Sequence, residues 1–97
     1  MPKAIQLRVV TAEGQALADE AVSIVAPGAL GYLGILSNHA PLVTTLQPGK
    51  LAWRRPNDER LISHLTGGLL EVAGNRVTIL TEQLTQPSAA KPAAHSI

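Results

Sequence analysis

Glycine and proline cut this chain into pieces too short for well-formed helices, and that constraint governs what it can become. Eight glycines and seven prolines are spread over 97 residues, and the pieces between them alternate apolar and polar residues rather than repeating every three or four. Ile5, Leu7 and Val9 alternate with Gln6 and Arg8, the period of a half-buried strand. Val22, Ile24 and Ala26 repeat the pattern, as do Leu51 and Trp53 against Ala52 and Arg54. Turn signals separate these runs: Glu13-Gly14, Pro27-Gly28, residues 37–41, Pro48-Gly49, Pro56-Asn57-Asp58 and Gly67-Gly68. Gly74-Asn75 stands between two short apolar runs, a spacing that predicts a tight hairpin. Helix competes only around Ala16 to Val25, where a strand fits equally well. The expected fold is all-β: a two-sheet β-sandwich of short, mostly antiparallel strands.

The chain is long enough for one domain. Its core must come from Leu, Val, Ile and Ala, because there is no Phe and only one Trp and one Tyr, Trp53 and Tyr32. After Leu84 the character changes to proline, alanine and serine without a hydrophobic period. The expected division is a sandwich domain over residues 1–84 and a flexible tail over 85–97, whose burial is too small to offset its ordering entropy. No run of about 18 to 20 apolar residues exists, so no membrane-spanning helix and no direct lipid insertion are expected. Met1-Pro2-Lys3-Ala4 leads straight into the first strand pattern without an apolar signal region. The expectation is a native start and a cytoplasmic protein.

Most classes of chemistry lack their residues here. A net charge of +1, with Arg54-Arg55 the one tight basic pair, gives no phosphate-binding patch for nucleic acid. With no cysteine, disulfides, thiolate metal sites and cysteine nucleophiles are excluded. His39, His64 and His95 lack a metal-ligand spacing, so no metal is expected. Gly28, Gly31 and Gly34 are three apart, with no helix predicted after them, and Pro48-Gly49-Lys50 is followed by Leu51, which has no hydroxyl for magnesium. Both segments read as turns, so no nucleotide or other cofactor is expected. The acids, Glu13, Asp19, Glu20, Asp58, Glu59, Glu71 and Glu82, mostly flank turns, where carboxylates are solvated. No catalytic residue is expected. One segment stands out. Leu30, Tyr32, Leu33, Ile35 and Leu36 lie among glycines, where a solvent-facing loop carries Ser, Asp and Lys. Either they cap one end of the core, or they form a docking loop for another protein.

An ordered series of short motifs adds to this reading: residues 7–14, residues 25–28, Gly31-Tyr32-Leu33-Gly34-Ile35-Leu36, Asn38-His39-Ala40-Pro41-Leu42-Val43-Thr44, Gln47-Pro48-Gly49, residues 66–72 and residues 75–80. Over residues 4–82 this series resembles the epsilon subunit of F-type rotary ATP synthases. The resemblance implies a β-sandwich at the foot of the central stalk, bound to the gamma subunit and resting on the c ring. It implies a non-catalytic role in coupling ion flow to ATP synthesis, with no homo-oligomer. It also implies a place peripheral to the inner (plasma) membrane, on the cytoplasmic side, in a bacterium. The family's ring-facing loop corresponds to Gly31, Tyr32, Leu33, Gly34 and Ile35, with His39 nearby, and the gamma contact to Ala40, Pro41 and Thr44. Tyr32 stands where some relatives carry an acid. The family's C-terminal two-helix domain has no counterpart in these residues, so its inhibition of hydrolysis is not expected. The alternative is a free-standing β-sandwich binding module that shares only the fold.

Overall fold

The computed structural model describes residues 3–90, and every regular element among them is a strand. They are β1 (Ile5–Thr11), β2 (Gly14–Ala21), β3 (Ser23–Gly28), β4 (Gly31–Leu36), β5 (Leu42–Leu46), β6 (Gly49–Arg54), β7 (Arg60–Leu65), β8 (Gly68–Ala73), β9 (Arg76–Leu80) and β10 (Ser88–Ala89). The stretch that competed as a helix is β2 running into β3. The neighbour order is β10-β7-β6-β3-β5-β8-β9-β1-β2, with β4 on the other edge of β3. All pairs are antiparallel except β1 with β9.

The all-β class holds, and the strands follow one another in a continuous hydrogen-bonded ladder. β3 changes partner along its length. Ser23, Ile24 and Val25 pair with Arg54, Trp53 and Ala52 of β6, whereas Gly28 meets Leu46 of β5. Twist accumulates across the strands and curls the ladder over itself, so its inward faces enclose one core. The strand alternation decides which residues enter it. Ile5, Leu7 and Val9 of β1 meet Ile24, Leu51 and Ile79 there, all essentially without solvent contact. Each such side chain contributes roughly 1.5–3 kcal/mol of burial.

Two local features hold the curl. Trp53 is buried, and its indole Nε1–H donates to Asp19 Oδ2 on β2 at 2.8 Å. Arg55 Nε donates to the same oxygen at 2.8 Å, and its Nη1 to Glu59 at 2.8 Å. Burial pushes the Asp19 carboxyl up, but the hydrogen bonds from Trp53, Arg55 and the Glu20 N–H, with the Arg55 charge, outweigh it and hold its pKa below the ordinary range. At the start of β8, Gly68 has φ +138°, and a Cβ there would lie 1.8 Å from the Leu80 carbonyl oxygen. Only glycine permits that approach of β8 to β9.

The expected flexible tail differs from the structure at its beginning. Leu84 bridges to Leu65, the Thr85 N–H donates to the His64 carbonyl at 2.9 Å, and the Ser63 hydroxyl donates to the Thr85 carbonyl. Ser88 and Ala89 then pair with Ile62 and Leu61, and the Ala90 N–H reaches the Arg60 carbonyl at 2.9 Å. The segment lacks a hydrophobic period, yet the open edge of β7 supplies backbone partners that need no side-chain pattern. Met1, Pro2 and the expected tail residues 91–97, with His95, lie outside the described residues.

Candidate partner-binding surface

The apolar, glycine-spaced segment is a strand, not a loop. Residues 31–36 run back along β3 after a tight turn at Ala29-Leu30, with Gly28 opposite Gly31 and Ser23 opposite Leu36. A Cβ on Gly28 would sit 2.6 Å from Leu33 Cδ2 and 2.8 Å from the Gly31 carbonyl oxygen, so glycine is what lets this hairpin close. β4 pairs only with β3, which leaves its outer backbone edge free among the described residues.

Strand alternation splits the candidate residues. Ile35 is 1% exposed and belongs to the core, so it offers a partner no side chain. Leu33 is half-buried and packs against that core. Tyr32 and Leu36 face outward, 58% and 62% exposed, and Leu30 at the turn is fully exposed. Gly34 is also exposed, and a Cβ on it would meet nothing within 4 Å. The Tyr32 hydroxyl accepts the Lys50 N–H at 3.3 Å, which leans the ring across Pro27 toward Gly49. The core-capping reading therefore holds for the inward face, while Leu30, Tyr32 and Leu36 leave an exposed apolar face on the other side.

His39, Ala40 and Pro41 lie beyond the opposite end of β4 from Tyr32, separated by about 13 Å of strand from Tyr32 to Leu36. The structure does not gather the nine candidates into one site. Asn38 begins this loop with φ +66°, and the His39 N–H donates to the Leu36 carbonyl at 3.1 Å. His39 Nδ1 lies 2.7 Å from the Ala40 carbonyl, and because a carbonyl only accepts, Nδ1 carries the proton. Ala40 and Pro41 are exposed, while Thr44 is half-buried on the side of β5 that turns inward. Its outward neighbour Val43 is the exposed one. Val43, Leu69 and Leu80 are exposed apolar residues on β5, β8 and β9, where they line a shallow depression of about 200 Å³ with Glu71 and Thr78. This second surface escaped the sequence reading. Its signal was present, as apolar residues at the outward positions of strands whose inward positions were apolar too.

Among the described residues no three His, Asp or Glu side chains come together as a metal group. His64 sits on the outward side of β7, opposite Lys50 of β6, away from His39. Among the described residues no helix is long and apolar enough to cross a membrane.

Comparison with known proteins agrees with this architecture. Residues 4–87 match the family described as ATP synthase, Delta/Epsilon chain, beta-sandwich domain. The ATP synthase epsilon chain of Stenotrophomonas maltophilia (strain K279a) is 45% identical over 78 residues, which are 80% of this chain and 56% of that one. The ATP synthase epsilon chain of Desulfosudis oleivorans is 37% identical over 82 residues, 84% of this chain and 62% of that one. The chain thus spans little more than half the length of the curated relatives it matches. Among solved structures, a chain in the cryo-EM structure of Euglena gracilis mitochondrial ATP synthase, OSCP/F1/c-ring in rotational state 1, has a TM-score of 0.81 at 24% identity, covering 90% of this chain and 55% of that one. A chain of the Tetrahymena thermophila mitochondrial ATP synthase central stalk/c-ring has a TM-score of 0.67 at 21% identity, covering 86% and 66%. Ordered motifs, strand topology and a family match over residues 4–87 converge on one conclusion: this chain belongs to the delta/epsilon chain family of ATP synthase, through its β-sandwich domain.

Proposed function

We propose that this chain is a non-catalytic central-stalk subunit of a rotary ATP synthase, bridging the gamma subunit and the c ring so that ion flow is coupled to ATP synthesis. The observation that carries the reading is the family match across residues 4–87, shared with bacterial relatives named ATP synthase epsilon chain. A module that shared only the fold would not keep the family's motifs in order through both the core and the exposed segments. The protein works peripherally to the bacterial inner membrane, on its cytoplasmic side, held there by its partners rather than by lipid.

The geometry supports two separate contacts. The ring contact is made by the outward side of β4, with Tyr32 and Leu36 supplying apolar area and Gly31 and Gly34 admitting close approach of a partner. Leu30, exposed at the turn, extends it, and Ile35 only shapes the strand from inside. The gamma contact is made just beyond the Leu36 end of β4, through Ala40 and Pro41, joined by His39, first assigned to the ring, with Val43 in the role first given to Thr44.

The test is assembly. Mixed with the gamma subunit of an ATP synthase stripped of its epsilon chain, the protein should form a one-to-one complex, and that complex should bind the c ring. Leu36→Asp should weaken ring binding at least tenfold while leaving thermal stability unchanged, because Leu36 contributes little to the core. A chain that binds neither gamma nor the ring would overturn the proposal.

A further inference from the structure

Two asparagines 37 residues apart form a reciprocal clasp at the end of the sandwich opposite the Ala29-Leu30 turn. The Asn38 N–H donates to Asn75 Oδ1 at 2.6 Å, and Asn75 Nδ2–H donates to Asn38 Oδ1 at 3.1 Å. Both residues have left-handed backbone, φ +66° and +60°. Asparagine tolerates that region better than most side chains, because its short carboxamide bonds locally. Here each carboxamide is spent on the other turn instead. Asn75 is itself anchored, since its carbonyl accepts the Gln6 N–H at 2.9 Å and Gly74-Asn75 forms the turn between β8 and β9. The residues after Asn38 have fewer ties. Ala40 and Pro41 are exposed, and nothing else in the hydrogen-bond network joins residues 37–41 to the β8–β9 turn.

We infer that Asn75 is a positioning residue: it touches no partner itself but holds the Asn38–Pro41 loop in the one arrangement that fits the gamma subunit. This rests on the proposed gamma contact through that loop. A loop free to sample several arrangements binds with its affinity reduced by the fraction of time it is competent. Without the clasp, a loop competent about a tenth of the time binds about tenfold more weakly.

Asn75→Gly isolates the effect. Glycine keeps the left-handed turn and the Gln6 hydrogen bond, and deletes only the carboxamide. Three readouts apply to the full chain: amide exchange at Asn38, binding to purified gamma subunit free of its own epsilon chain, and the same binding for Asn38→Gly and the double variant. The expected result for Asn75→Gly is loss of protection at Asn38 and about tenfold weaker binding. Asn38→Gly, which keeps its backbone N–H bond to Asn75 Oδ1, should lose less, and the double variant no more than Asn75→Gly, since both act on one clasp. Ala40→Glu, which places bulk and charge on the exposed loop, tests the underlying contact. If Ala40→Glu abolishes binding while Asn75→Gly binds like the parent chain, the loop is the contact and the clasp does not position it. If neither variant alters binding, the loop is not the gamma contact and the positioning role falls with it. Unchanged protection at Asn38 would overturn the clasp itself.

Discussion

The β3–β4 and β8–β9 hairpins have similar local chemistry and opposite surroundings. Each is antiparallel, each turns through two residues, and each carries apolar side chains on both faces. β8 pairs with β5 as well as β9, and β9 with β1 as well as β8, so the backbone of that hairpin is fully used. β4 has one partner. The inward side chains of the two hairpins do the same work, Ile35 and Ile79 both reaching the core. The free edge of β4 and its outward Tyr32 and Leu36 are what set it apart as the proposed docking strand. Natural proteins usually blunt such an edge with charge or proline. This one leaves it apolar, as a strand with a standing partner would.

Glycine substitutions break the comparison most sharply. Gly68→Ala forces a Cβ into the Leu80 carbonyl at a left-handed backbone position. It should cost on the order of 3–5 kcal/mol in urea unfolding, enough to leave much of the chain unfolded. A loss below about 1 kcal/mol would mean that β8 and β9 separate more readily than their pairing suggests.

Leu33→Asp sits at the boundary between the two roles of β4. Because Leu33 packs against the core from a half-buried position, the substitution should cost about 2–3 kcal/mol and show as a clear drop in melting temperature. An unchanged melting curve would place Leu33 on the docking side with Tyr32.

Asp19→Asn acts on neither hairpin and shows what a purely structural link contributes. Loss of the charged acceptor for Trp53 and Arg55 should cost about 1–2 kcal/mol at neutral pH, with rotor binding intact. The sign of the pH dependence follows from the depressed pKa. The contribution is complete above the unfolded carboxyl's ordinary 3.8 and is lost as pH falls through the lower folded value. Acid unfolding of the parent chain should therefore steepen below that pH, and the Asn variant should lack this component.

Gly34→Ala carries the smallest effect on folding. With nothing within 4 Å of its Cβ, it should change stability by no more than about 0.5 kcal/mol. Added to the outer face of a docking strand, the same methyl group should weaken c-ring binding measurably. Equal binding by Gly34→Ala and the parent chain would remove the glycine face of β4 from the contact.

Much of this molecule was legible in its residues. Alternation at Ile5, Leu7 and Val9 identified a strand and its buried face, and Asn57-Asp58 and Gly74-Asn75 marked turns, because local backbone preference and a two-residue period are properties of neighbours in sequence. The same alternation put Leu51 and Trp53 on one face of a strand, and the structure made that face the core. The ordered motifs pointed to the family, and the family match bore that out. The tertiary structure alone decided the rest. Residues 31–36 look like a loop until β3 supplies their hydrogen bonds, and residues 88–89 look unstructured until the edge of β7 does. Alternation says that Tyr32 and Leu33 face opposite ways, but only the position of the core says which one is free. The parallel meeting of β1 with β9 and the clasp between Asn38 and Asn75 join residues far apart in the chain. No local pattern encodes such contacts, since they exist only once the ladder has curled and brought its ends together.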